Sequence, residues 1–401
     1  MRGYIMIPNV VKQASFFVLS RPTKIYERFL LEQIDSKEQL IGIKGARGAG
    51  KTTLLLQYVH RSGYPIEKIL YISCDHPAMA GVSLYDLAQD FFQEGGKLLL
   101  LDEIHKSKGF ASHLKAIRDT FDLQVIFSGS SAIQLDYESA DLSRRVAMYQ
   151  LPALSFREFL EIETSIPFDA VPLEKVIKNH LTLSSQVAAK IRPIEYFLKY
   201  IKYGAYPFYL ESIENYPMKL LEVINLTIES DLPAIFNIEP SKLDKLKKLL
   251  YMLCTTPPLE LNKVKLSGAI GTSWPTVSKY LTLMSKASLI HQIRGGAGMR
   301  TINKPDKLLL DNPNIFQVLC AQPNIGSLRE SFFVSQLSHA HQIHYHDKAD
   351  FIVDDTFVFE IGGPGKTQKQ IKSLDDAYII QDNIEVGSLK EIPLWAFGFL
   401  Y

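Results

Sequence analysis

Gly45-Ala-Arg-Gly-Ala-Gly-Lys-Thr-Thr53 is the stretch that decides how this chain folds. Gly45 to Thr52 fit the pattern G-x-x-x-x-G-K-[ST]. Gly48 and Gly50 let backbone N–H groups crowd toward an anion with no Cβ in the way. Leu40-Ile-Gly-Ile-Lys44, just before, reads as a short buried strand, and Thr52 to about His60, just after, as an apolar helix. That helix presents its N-terminus to the loop, where backbone donors and the helix dipole favour negative charge. Strand, glycine-rich turn and helix in this order mark a phosphate-binding loop rather than a chance turn. Lys51 is then placed to reach the β- and γ-phosphates of ATP, and Thr52 to ligate Mg²⁺. Arg47, Ala49 and Thr53 complete the nucleotide-binding stretch.

Outward from the loop, Ile69–Ser73, Lys97–Asp102 and Gln124–Ser128 read as further short apolar strands, each separated by helix-length sequence. This alternation predicts an α/β fold with a parallel sheet covered by helices on both faces. The third strand ends in two acids. Asp102 is placed to hold the Mg²⁺ hydration shell, and Glu103 to orient and deprotonate an attacking water. Phosphoryl transfer needs mainly positioning and charge stabilisation, which this set supplies. At the end of the fourth strand, Phe127-Ser-Gly-Ser-Ser131 offers Ser128 and Ser130 as sensors of the γ-phosphate. An ordinary serine-rich helix cap is the competing reading. Leu142-Ser-Arg-Arg-Val146 offers an arginine to stabilise transition-state charge, in cis or across an interface, with Arg145 preferred to Arg144. A surface ion pair is its competing reading. The paired acids and the serines favour water over a small molecule as phosphoryl acceptor.

Composition narrows the setting. The 401 residues carry a net charge of +1, with 46% hydrophobic and 22% charged, so no global signal points to nucleic acid or membrane. No apolar run approaches the roughly 18 residues that span a bilayer. Pro8, Asn9, Lys12 and Gln13 interrupt any signal-peptide core. Cys74, Cys254 and Cys320 are far apart and without metal-ligand spacing, so no disulfide framework is expected and a cytoplasmic location fits.

Gly45–Leu55, Leu98-Leu-Leu-Leu-Asp-Glu-Ile-His-Lys106, Ser128–Ser131 and Leu151-Pro-Ala-Leu-Ser-Phe-Arg-Glu-Phe-Leu160 occur in that order. Together they resemble a prokaryotic family of AAA-superfamily ATPases with a C-terminal domain of unknown function. Ile325–Glu330, Phe359–Gly363 and Leu394–Tyr401 resemble that family's C-terminal half. The resemblance implies an ATPase core over 1–160, a helical lid over 161–245, a winged helix over 246–312 and a nuclease-like α/β domain over 313–401.

Leu266 to Met284 read as helix, turn at Gly271 and helix, with Ser273 as cap and Pro275 in the first turn. Val277, Tyr280, Leu281 and Met284 recur at helical spacing and are expected to face the core. Leu289–Ile293 and a strand near Met299–Ile302 are the expected wing. Residues 262–310 hold eight basic side chains against Asp306 alone, a local balance of +7. That is the footprint of a phosphate-backbone binder, so duplex DNA contacting Lys279 is one expected partner, with a protein partner or self-association the other. Toward the end of the chain, Glu330 in a helix, Asp350 opening a strand and Glu360 ending the next are spaced as in a PD-(D/E)xK nuclease. Such sites hold Mg²⁺ with acids and place a lysine two residues after the last one. Gly362 occupies that position here and Lys366 follows later, so a catalytically silent fold is favoured over an ATP-gated nuclease.

Overall fold

A computed structural model describes residues 7–21, 26–129, 142, 144–233, 238–255, 263–295, 307–366, 371–372 and 374–401. The chain divides into two compact units after Pro152.

The first unit is built on five strands: β1 (Leu40–Gly45), β2 (Ile69–Ser73), β3 (Leu98–Asp102), β4 (Gln124–Gly129) and β5 (Ala147–Leu151). Their order is β2-β3-β4-β1-β5, and every neighbouring pair is parallel. Parallel strands are covered on both faces, so they need unbroken apolar runs. Leu98 to Leu101 meet that demand and are fully buried. The fifth strand, Ala-Met-Tyr-Gln-Leu, escaped the sequence reading because it is a half-exposed edge strand with no apolar run. The other edge, β2, is covered by the Asn9–Leu19 helix, where the Tyr71 N–H donates to Ser15 Oγ at 2.9 Å. Covering an edge strand in this way removes a template for unwanted pairing.

The second unit begins with helices. Ser155 caps the Phe156–Thr164 helix in a reciprocal box with Glu158. Phe156, Phe159 and Leu160 are fully buried, and Arg157 Nε donates to the Tyr401 carbonyl at 2.9 Å. The Phe156–Thr164 helix packs on the turn formed by Leu394–Phe399.

Residues 263–286 form the expected helix–turn–helix, Lys263–Ile270 and Trp274–Lys286. Gly271 turns the chain at φ 66°, and Val277, Tyr280, Leu281 and Met284 are buried as the spacing requires. Ser273 does not cap with its side chain; its Oγ lies 3.2 Å from Thr276 Oγ1 instead.

A seven-stranded sheet follows: β6 (Ile290–Gly295), β7 (Lys307–Leu310), β8 (Ile343–His346), β9 (Ala349–Val353), β10 (Phe357–Gly362), β11 (Ala377–Gln381) and β12 (Glu391–Pro393). Its order is β12-β11-β10-β9-β8-β6-β7. The partner of β6 is β7 rather than a strand at 299–302, which lies outside the described residues. Strand β6 also pairs with β8, so one sheet runs across the boundary expected at 312.

The expectation about cysteines needs correction. Cys254 and Cys320 form a disulfide between Cα atoms 5.4 Å apart, although 66 positions separate them in sequence. The Leu243–Thr255 and Pro313–Leu319 helices pack together and bring the two thiols into reach, which spacing could not show. Cys74 stays free, and burial pushes its thiol up to about 12.

Candidate nucleotide-binding site

Strand β1 delivers the loop and the Lys51–Ser62 helix carries it away. Gly48 and Gly50 take φ of 81° and 95°, left-handed values that cost other residues energy. Gly45 is required for a different reason: a Cβ there would stand 2.5 Å from the Leu151 carbonyl oxygen on β5. Lys51 is buried, and its ammonium donates to the Gly45 and Ala46 carbonyls at 3.0 and 2.9 Å. Those bonds curl the lysine over the cradle that a phosphate would fill. Beneath the loop, Arg28 is also buried. It donates from Nη1 to the Ala49 carbonyl at 2.5 Å and from Nη2 to the Pro152 carbonyl at 2.9 Å. Sequence reasoning missed Arg28. Its only signal is a charge beside the apolar run Phe29-Leu-Leu31, which belongs to no motif.

The acids arrive from β3. Strand β4 separates β3 from β1, so about 10 Å of sheet lies between the loop strand and Asp102. Two hydroxyls bridge that gap. Thr52 Oγ1 donates to Asp102 Oδ2 at 2.6 Å, and Ser128 Oγ on β4 donates to Asp102 Oδ1. The Tyr71 hydroxyl on β2 adds a bond to Oδ2 at 2.8 Å, and the Glu103 N–H one to Oδ1 at 3.1 Å. Asp102 is only 3% exposed, so these donors replace its water. Burial, then the adjacent Asp102 carboxylate, pushes the Tyr71 phenol far above its ordinary value, which keeps it a donor at any working pH. Tyr71 was not foreseen, because an aromatic inside a β-strand ordinarily reads as core.

Glu103 follows in the left-handed region, at φ 52° and ψ 42°. A non-glycine residue there costs of order 1–2 kcal/mol. The turn lifts Glu103 off the strand axis, and His105 Nε2 lies 3.5 Å from its Oε2. Strained backbone of this kind concentrates at functional positions.

The remaining candidates divide. Thr53 begins the helix beside Lys51 and Thr52, and Arg47 lies in the loop between Gly45 and Gly48. Ser130 lies outside the described residues. Ser128 reaches Asp102, so its hydroxyl braces the acid. Arg145 is not part of the cluster. It precedes β5 at the end where Ala147 pairs with Ile41, whereas the loop lies at the other end, where Leu151 pairs with Gly45. There it donates to Asp119 Oδ1 at 3.2 Å, an exposed ion pair. A cis role for Arg145 is therefore corrected by the direction of the parallel strands. The donors that do converge fit a nucleotide with Mg²⁺: a glycine cradle, a lysine, and a hydroxyl and a carboxylate 2.6 Å apart as hard oxygen ligands.

A second cluster lies in the other unit. Asp350 on β9 and Glu360 on β10 line a cleft of about 420 Å³ with Lys366, Tyr345 and Lys348. Lys366 reaches Glu360 Oε1 in a close ion pair. Gly362 makes this contact possible, since a Cβ there would stand 2.7 Å from Lys366 Cγ. The glycine found where a lysine was expected thus clears the path for the later one. Glu330 joins through Lys307, whose Nζ lies 2.8 Å from Glu330 Oε2 and 2.7 Å from Asp350 Oδ1. Both contacts are close ion pairs, and the one to Asp350 is also a hydrogen bond. Burial pushes Glu330 up to about 7 against the pull of Lys307. Burial also raises Glu360, and the Asp350 charge adds to the effect.

The basic segment is partly accessible. Lys265, Lys279, Lys286 and Arg294 are exposed, whereas Lys307 is 1% exposed and committed to acids. Arg300 and Lys304 lie outside the described residues.

A parallel sheet with a phosphate loop on one strand end and paired acids on another fits the P-loop NTPase fold. Residues 37–160 match the family described as "AAA domain", which carries nucleotide-dependent ATPase activity as its general property. Residues 194–318 match "Domain of unknown function (DUF8612)". The chain is 29% identical to "Uncharacterized protein MJ1637" of Methanocaldococcus jannaschii, over 96% of this chain and 91% of that one. It is 25% identical to an "Uncharacterized protein" of Haemophilus influenzae, over 69% of each. Among the described residues, no helix is long and apolar enough to cross a membrane.

Proposed function

We propose that the chain binds ATP with Mg²⁺ at Gly45–Thr53 and hydrolyses it. The observation that carries this reading is the Thr52–Asp102 contact at 2.6 Å with Glu103 directly following. When bound, Mg²⁺ draws charge from the transferring phosphoryl group. Thr52 and Asp102 would hold it, Lys51 would leave its loop carbonyls for the phosphates, and Glu103 would orient water and take its proton. Arg145 belongs to this site only if a second copy supplies it.

In the same reading, 161–245 act as a helical lid, 246–312 as a winged helix and 313–401 as a nuclease-like domain. Nucleotide state switches or drives these parts. The exposed Lys265, Lys279, Lys286 and Arg294 favour duplex DNA as the partner. The test is ATP turnover with and without duplex DNA, beside the Glu103→Gln variant. Turnover that Glu103→Gln abolishes while ATP binding persists supports hydrolysis. Wild-type protein that binds ATP without turnover, with or without DNA, leaves a regulator for which ATP is only a conformational ligand.

A further inference from the structure

A nuclease-like fold implies a divalent cation among Glu330, Asp350 and Glu360, and these residues do not fit one. Among the described residues, no three His, Cys, Asp or Glu side chains are arranged to hold a metal ion. The carboxylates turn instead to ammonium groups. Lys307, on β7, contacts Glu330 from the Ile325–Leu337 helix and Asp350 from β9. Its Nζ also lies 4.6 Å from the centre of the Phe351 ring, a cation–π distance. The second Asp350 oxygen, Oδ2, accepts the Ile361 N–H at 2.8 Å, so both of its oxygens are engaged. Glu360 is held by Lys366.

We infer that the Lys307 ammonium stands permanently where a nuclease would hold its metal, so the Glu330–Asp350–Glu360 cluster is a lysine-locked, metal-independent centre. The inference rests on the nuclease-like reading of residues 313–401. Its physical basis is that an ammonium and a divalent cation answer the same need. Two carboxylates largely withdrawn from water must be neutralised, and a cation supplied by the chain itself is never lost to solvent. Enclosed on one side by an aromatic face and on the other by two acids, Lys307 is only 1% exposed. The cleft beside it keeps the shape of a binding groove without an electrophile to act on a phosphodiester.

The test is Mn²⁺ binding and thermal melting of the full, nucleotide-free chain, comparing wild type, Lys307→Met, Lys307→Gln and Asp350→Asn. Wild type is expected to bind no Mn²⁺ that depends on Asp350, and to melt at one temperature in EDTA and in Mn²⁺. The Lys307 variants are expected to melt lower in EDTA and to regain several degrees in Mn²⁺, because the stranded acids recruit the ion. Asp350-dependent Mn²⁺ binding by wild type overturns the lock while leaving the nuclease-like reading in place. Folded Lys307 variants that ignore Mn²⁺ overturn both. If neither Lys307 variant folds, the wild-type and Asp350→Asn comparison still decides: Mn²⁺ binding lost with Asp350 refutes the lock, and Mn²⁺ binding that is the same in both supports it.

Discussion

Removing one hydroxyl, in Tyr71→Phe, isolates the support behind Asp102, the carboxylate proposed to hold Mg²⁺. The ring and its packing remain, so no cavity is created. Asp102 Oδ2 keeps Thr52 but loses the 2.8 Å bond from the phenol. A buried hydrogen bond to a charged acceptor contributes about 1.5–3 kcal/mol net. Deleting a residue that orients a metal ligand typically weakens metal affinity about 10–100-fold. At about 1.36 kcal/mol per decade, that range corresponds to roughly 1.4–2.7 kcal/mol, so the two estimates agree. The expected result is a rise of about tenfold or more in the Mg²⁺ concentration that half-saturates ATP turnover, with a smaller loss at saturating Mg²⁺. A fluorescent ATP analogue titrated with Mg²⁺ in a Glu103→Gln background reads the same shift without turnover. An unchanged Mg²⁺ dependence in both assays would refute the idea that Tyr71 positions Asp102.

Other consequences are as direct. Arg28→Met strips two donors from the carbonyls of Ala49 and Pro152, and should cost about 2–4 kcal/mol in urea unfolding while weakening ATP binding. Ser155→Ala removes the capping box of the Phe156–Thr164 helix and should cost about 1–2 kcal/mol, read from the denaturation midpoint of residues 153–401. Reducing the Cys254–Cys320 bond releases a 66-residue loop, worth about 4 kcal/mol by chain entropy, so dithiothreitol should lower the melting temperature and Cys254→Ser should reproduce the effect. Glu330 binds its proton more tightly when folded, up to about 7 against an ordinary 4.5. Its contribution is therefore greatest at acid pH and lost as pH rises from about 4.5 to about 7, and Glu330→Gln should flatten that slope.

What the sequence determined by itself was the local chemistry. Gly45–Thr53, the run Leu98–Leu101 and the acids Asp102 and Glu103 are contiguous, and contiguous patterns are legible because chain geometry alone fixes which atoms are neighbours. The four buried strands of the first unit were legible for the same reason, as was the helix–turn–helix. What only the tertiary structure decided was every contact made across the chain. Tyr71 and Ser128 meet Asp102 because β2 and β4 flank β3, while Arg145 is removed from the site because a parallel strand enters the sheet at the end away from the loop. Cys254 finds Cys320 by helix packing. Lys307 is the sharpest case. In the sequence it adds to a basic segment that looks ready for a phosphate backbone, yet the register of β7 within its sheet buries it between two acids. A charge count adds residues without regard to depth, and burial converts the same ammonium from a surface ligand for anions into the internal counter-ion of a carboxylate pair.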